Sequence, residues 1–271
     1  MLSPRILVVL SELNGAEAAL TMMLSAIAHA ARPFTLHFAV PLRLSEQISA
    51  YELPQNVLSY GDLRFYDDSA GLAAIPSLLT DETHILSLRV AYEFAEKWDR
   101  TLLSRYESIP REQAVMTAML SRGDDEQAQA YLPAFSDDFW EDGVRLQEGL
   151  ALVCSAAPVK TMLINPAFLL MTPDFLHNAE TAFDTLSIAA HIAGYAAYAL
   201  DVACLWPIGR KRPRSLNKPS PDALPRANLA RFEQLAGLSF DARRATLRAM
   251  RGLFTVDDGY PQTLPARLSL T

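Results

Sequence analysis

The sequence predicts a mostly parallel, three-layer α/β domain, and two stretches carry that prediction. The first is the opening of the chain. Ile6–Leu10 (ILVVL) is a continuous apolar run rich in β-branched residues, the pattern of a strand buried on both faces of a parallel sheet. A polar turn with Gly15 leads into an amphipathic helix, Ala16–Ala31, which Pro33 stops. Phe34–Val40 (FTLHFAV) then alternates as a second strand, so the chain opens with a strand–helix–strand unit and a right-handed crossover. The second stretch is Glu82–Leu103. It reads as a buried strand, His84–Leu88, then a short loop and a Trp-Asp pair opening an amphipathic helix over Asp99–Tyr106.

The remaining elements follow in order. Leu63–Tyr66 reads as a short third strand, and Ser69–Leu79 as a helix with Asp67, Asp68 and Ser69 available as N-caps. Val115–Ser121 (VMTAMLS) is an apolar strand, and Gly123–Gln129 a polar loop or helix start. Val159–Ile164 and Ala167–Met171 are two apolar runs broken by Asn165–Pro166. Thr172–His177 begins a short helix with proline at its first position. Asp184–Gly194 is helical with Gly194 as its C-cap, and Tyr195–Leu205 reads as a last strand. Trp206–Pro225 reads as a proline-rich basic loop, carrying Arg210, Lys211, Arg212, Arg214 and Lys218. Asn228–Leu253 is a basic helical region. The expected domains are an α/β domain over residues 1–225 and a helical extension over 226–271 packed on it.

Composition narrows the functional classes. The chain has 271 residues, half of them apolar, enough for a substantial core. A net charge of −7 argues against general nucleic-acid binding, which needs a basic face to neutralise phosphates. The N-terminal apolar run is too short for a signal segment and no stretch reaches the length of a membrane span, so a cytoplasmic location is expected. The alanine-rich helices fit a bacterial source. Cys154 and Cys204 sit in apolar surroundings and read as buried thiols. The five histidines show no zinc-ligand spacing, and no P-loop, Gly-x-Ser-x-Gly or Gly-x-Gly-x-x-Gly is present.

Four places resemble one family in order and spacing: Ile6–Ser11 with its helix, Glu82–Leu103, Asn165–Phe175 with Asp184–Tyr195 (DTLSIAAHIAGY), and Arg226–Phe240. The family is the GT-A-fold glycosyltransferases, in particular the GlcNAc-transferase group that modifies hydroxylated protein side chains. The resemblance implies a GT-A-like, three-layer nucleotide-diphospho-sugar transferase fold, a UDP-sugar donor and a protein or glycan acceptor. In that family the strand matching His84–Leu88 ends in an acidic motif that holds a divalent metal. Here the matching positions are Arg89, Val90 and Ala91. A further ligand position matches Trp206, and the acidic pair of the later helix matches Ala182 and Phe183, with Asp184 one residue out of register and Glu180 upstream. The frame is kept and the metal ligands are replaced, so no metal cofactor is expected.

Three readings of function follow. The first is a metal-independent glycosyltransferase. Arg89, Arg210 and Arg212 would neutralise the leaving diphosphate, Asp184 would be the general base, and Ser11, Glu12 and Asn14 would line the nucleotide pocket. On this reading Trp98 and Asp99 shape the floor of the site. The second is a catalytically degenerate relative that binds a nucleotide, a glycan or a partner glycosyltransferase. The third is an interaction protein on the same scaffold, using Phe135–Trp140 (FSDDFW) or the arginines of the C-terminal helix; a capped helix start and packing on the domain are the favoured readings of those two features.

Overall fold

The computed structural model describes residues 4–13, 15–51, 61–110, 113–122, 128–135, 146–152, 157–178 and 186–208. The expected C-terminal extension, the basic residues from Arg210 onward, Asn14, Asp184 and most of Phe135–Trp140 lie outside them.

The chain opens as its sequence predicts. Strand β1 (Ile6–Leu10) leads to helix α1 (Ala16–His29), and β2 (Leu36–Pro41) pairs parallel to β1, with Ile6 opposite Leu36. A short helix, α2 (Ser45–Ala50), precedes β3 (Gly61–Tyr66), which pairs parallel to β2. The stretch expected as a regular helix after β3 is a 3-10 segment, Asp68–Leu78, kinked at Gly71 (φ 57°) and interrupted by Pro76. Asp67 is its N-cap, accepting the Ser69 N–H at 3.0 Å. Strand β4 (His84–Leu88) lies on the other side of β1, parallel to it, with Leu10 opposite Leu88.

After β4 the chain forms β5 (Tyr92–Phe94) and helix α3 (Trp98–Glu107). The run Val115–Ser121, expected as one strand, is two: β6 (Ala114–Thr117) and β7 (Met119–Arg122), which belong to different sheets. An unbroken apolar run hides the split, because burial continues across the break, from Ala114 to Ala118 and on to Leu120. Strands β7, β8 (Ala128–Phe135) and β9 (Leu146–Ala151) form a small antiparallel sheet. Strands β10 (Val159–Thr161) and β11 (Phe168–Met171) return to the main sheet, followed by α4 (Pro173–Asn178) and α5 (Leu186–Ile192). Gly194 ends α5 at φ 84°, a conformation that favours glycine. The expected last strand is also two pieces: β12 (Ala196–Ala199), parallel to β6, and β13 (Leu205–Pro207), antiparallel to β5.

The main sheet has the order β10-β12-β6-β11-β4-β1-β2-β3. All but β10 and β11 run the same way. Alternation along β1 sorts its side chains between two cores. Ile6, Val8 and Leu10 face α1, together with Phe38, Phe94, Trp98 and Leu102. Leu7 and Val9 face the opposite layer, with Leu72, Ile75, Phe175, Leu186 and Tyr195. Both faces of the sheet are thus covered, which is why its central strands read as continuous apolar runs. Among the described residues, no helix is long and apolar enough to cross a membrane.

Candidate functional site

In an open α/β sheet the carboxyl ends of parallel strands form the edge where ligands settle. Here that edge gathers the ends of β1, β2, β3 and β4. The Ser11 N–H donates to the Leu88 carbonyl at 2.9 Å, carrying the β1–β4 ladder one step past the end of β1. The Arg89 N–H donates to the Ala167 carbonyl at 3.2 Å, so the end of β4 is held between β1 and the residue preceding β11.

Three of the residues expected in the site meet on this rim. Ser11 is buried directly after β1. Glu12 follows in the left-handed region at φ 54°, unusual for a residue with a side chain. Arg89 reaches across from β4, and its Nη2 pairs with Glu12 Oε1. The Arg89 side chain is 20 % exposed and that of Glu12 55 %, so the pair sits at the mouth of the edge rather than within it. Asn14, Asp184, Arg210 and Arg212 fall outside the described residues.

The structure adds three residues that sequence reasoning left out. Tyr66, at the end of β3, donates its hydroxyl to the Leu10 carbonyl at 3.2 Å. Burial, with Asp68 adding to it, pushes the Tyr66 phenol far above its ordinary range, while the Ser11 hydroxyl works in the opposite direction. Arg43, just beyond β2, donates Nε to Asp68 Oδ2 at 2.9 Å and Nη2 to the Leu13 carbonyl at 3.1 Å. Arg43 and Asp68 therefore brace the β1 loop against the start of the 3-10 segment. The available signal was topological: Leu63–Tyr66 had to end on the same edge as Ile6–Leu10 once both were parallel strands. Asp68 instead invited reading as a helix cap.

The positions that the family resemblance assigns to a metal do not suit one. Arg89 offers a cation and Ala91 a methyl group. The Trp206 indole N–H is engaged, donating to Glu93 Oε2 at 2.6 Å across the β5–β13 pair. None supplies the oxygen or imidazole donor that a divalent ion requires.

Among the described residues, His37, Asp81 and Glu82 are grouped closely enough to ligate an ion. They lie beside the amino ends of β2 and β4, away from the rim. A cation is already there: Arg64 Nη1 lies 2.7 Å from Glu82 Oε1. The Glu82 carboxylate has no exposed side-chain surface, pairs also with His37 Nδ1, and accepts the Thr80 N–H at 2.8 Å. Burial alone would raise its pKa. The Thr80, His37 and Arg64 contacts outweigh burial and hold the carboxyl at about 2.

Trp98 and Asp99 do not form the floor of the site. Trp98 is fully buried and its Nε1 donates to the Ala26 carbonyl at 2.8 Å. Asp99 accepts the N–H groups of Ala31 (2.6 Å) and Arg32 (2.9 Å). The Lys97 N–H donates to the His29 carbonyl at 2.6 Å. Together these contacts dock the start of α3 on the end of α1, satisfying backbone groups that a helix end leaves open. The α1 end lies beside the start of β2, on the side of the sheet away from the rim.

No protein-family profile and no curated protein sequence matches the chain. Solved structures do resemble it. One is residues 1–349 of S. aureus TarS in complex with UDP-GlcNAc, at 8% identity and a TM-score of 0.50, covering 90% of this chain and 69% of that one. Another is the mannosyltransferase PcManGT from Pyrobaculum calidifontis with GDP-Man and Mn2+, at 12% identity and a TM-score of 0.48, covering 93% of this chain and 80% of that one. At such identities the likeness is one of fold. The mixed, mostly parallel sheet covered by helices on both faces is a GT-A-like nucleotide-diphospho-sugar transferase fold.

Proposed function

We propose that the chain binds a nucleoside diphosphate sugar, a UDP-GlcNAc-like donor, on the β1–β4 rim and transfers the sugar to a protein or glycan acceptor without a metal ion. The observation that carries this reading is Arg89. It stands at the end of β4, and its guanidinium reaches the loop after β1 where Ser11 and Glu12 lie. A guanidinium can bind a diphosphate through paired N–H donors and neutralise charge that a divalent ion would otherwise neutralise. A resting anion, the Glu12 carboxylate, already sits against it, which fits a site built to receive negative charge. Asp184 is the proposed general base, and Asn14, Arg210 and Arg212 the proposed further nucleotide contacts. The protein is proposed to act in the cytoplasm.

The presence of Arg89, Ala91 and Trp206 at the positions that the resemblance assigns to metal ligands favours a second reading, in which the nucleotide sugar is bound and not turned over. This would make the chain a binding module or the companion of an active glycosyltransferase.

Calorimetric titration of the protein with UDP and with UDP-GlcNAc, each with and without Mn2+, tests the proposal. Binding indifferent to Mn2+ supports it. Binding that requires Mn2+ would overturn the metal-independent reading, and absence of binding would overturn the nucleotide reading altogether. Turnover of UDP-GlcNAc in the presence of acceptor peptides separates transfer from binding alone.

A further inference from the structure

We propose that Asn165 is a positioning residue for Arg89, setting the end of β4 in place from the opposite side of the rim. The inference rests on the diphosphate-binding reading for its ligand, and on hydrogen bonds alone for its geometry. Asn165 lies between β10 and β11 and is 8% exposed. Its N–H donates to Thr117 Oγ1 at 2.8 Å, and its Nδ2 donates to the Ala118 carbonyl at 2.7 Å. Its carbonyl accepts the Phe168 N–H at 3.2 Å. Its Oδ1 accepts the Ala167 N–H at 3.1 Å, closing a turn across Pro166. The Ala167 carbonyl on that turn accepts the Arg89 N–H at 3.2 Å, and the Tyr92 hydroxyl lies 3.4 Å from it.

The Asn165 side chain therefore holds Ala167 by its N–H, and the Ala167 carbonyl, on the next peptide unit, holds Arg89. The same side chain also grips Ala118, the single residue between β6 of the main sheet and β7 of the small sheet. The chemistry suits asparagine. Alanine would leave the buried Ala118 carbonyl and the part-buried Ala167 N–H without this partner, and each loss is costly. Serine keeps an acceptor for the N–H two residues on and shortens the reach to Ala118. Aspartate keeps the same acceptor and sets a negative charge against the Ala118 carbonyl.

The test compares Asn165→Ala, Asn165→Ser and Asp99→Asn with the parent chain, using UDP affinity by calorimetry and amide hydrogen exchange at Arg89. Asn165→Ala should weaken UDP binding by about tenfold, the scale of one lost oriented contact to a charged ligand. It should also speed exchange of the Arg89 amide. Asn165→Ser should recover part of both. Asp99→Asn disturbs the α1–α3 joint away from the rim, leaves every Asn165 contact in place, and should lower stability without changing UDP affinity. A folded Asn165→Ala protein with parental UDP affinity and parental Arg89 exchange would overturn the proposal. So would an Asp99→Asn protein that loses as much affinity as Asn165→Ala, because the loss would then track stability and not the end of β4. If Asn165→Ala does not fold, Asn165→Ser carries the comparison, and no change in either readout refutes the role. If the parent does not bind UDP, the ligand reading has failed, and Arg89 exchange still decides whether Asn165 positions that residue.

Discussion

Removing the charge of Glu82 should make the protein less stable at neutral pH and leave it unchanged near pH 2. The carboxylate is fully enclosed and held by Arg64, His37 and the Thr80 N–H. Its pKa is about 2 in the folded chain against an ordinary value of 4.5. A depressed folded value means that the stabilisation is complete above pH 4.5 and is lost as pH falls through 2. The difference of 4.5 − 2, at 1.36 kcal/mol per pH unit, corresponds to about 3 kcal/mol at neutral pH. Removing one partner of a buried ion pair costs a similar amount, about 3–5 kcal/mol. The assay is urea unfolding of the parent chain and Glu82→Gln at closely spaced pH values from 7 to 2, extrapolated to water. The gap between the two proteins should be about 3 kcal/mol at pH 7 and should close between pH 4.5 and 2. Titrating groups that do not touch Glu82 contribute equally to both proteins and cancel in the difference; His37, which does touch it, is replaced by Gln in both proteins of a second comparison. A gap that stays constant across that range would refute the reasoning, because the loss would then come from shape and not from charge.

Three further expectations follow from the same contacts. Burial holds His84 and His191 at about 4 in the folded chain, below the ordinary 6.5. The unfolded chain therefore takes their protons first, and stability should fall as pH drops from 6.5 towards 4. At pH 5 unfolding should take up about two protons from these groups, read from the slope of unfolding free energy against pH, and a flat profile would exclude the effect. Asp99→Asn replaces one of two acceptors at the α1–α3 joint with a donor and should cost about 1–3 kcal/mol by chemical denaturation, with UDP affinity unchanged. Arg89→Ala should weaken UDP binding by about ten- to a hundredfold while Arg89→Lys restores only part of it, since a lysine cannot make the paired contact; equal binding by parent and Arg89→Ala would remove Arg89 from the site.

What could be read from the sequence, and what could not, divides along physical lines. Strands β1 and β4 were legible residue for residue, because each is buried on both faces and bounded by polar residues. The crossover to β2 followed from chain economy. The division of Val115–Ser121 at Ala118 left no trace, since a strand that changes sheets keeps its apolar character on both sides of the break. The antiparallel direction of β11 was equally silent, because direction is set by the connection and not by composition. For the site, Ser11, Glu12 and Arg89 were legible as residues following strands, and their meeting is what parallel pairing of β1 and β4 requires. Trp98 and Asp99 were misplaced for a related reason: spacing along the chain does not say which end of the sheet a segment reaches. The role of Arg43 depends on Asp68 and the Leu13 carbonyl, partners distant in sequence that no local pattern joins to it.

The brace made by Arg43 bears on the thermodynamics of whatever settles on the rim. A loop that must be frozen when its ligand arrives subtracts the lost entropy from the affinity, at about 0.5–1.5 kcal/mol for each rotamer-rich side chain immobilised. Here the Leu13 carbonyl is already tethered and the Ser11 N–H already spent on the Leu88 carbonyl before any ligand is present. Association with this edge should therefore resemble a key entering a cut lock, with a modest entropic penalty and little rearrangement of the β1 loop. The exchange of partners at Arg89, from the Glu12 carboxylate to an incoming anion, is then the main adjustment left to make.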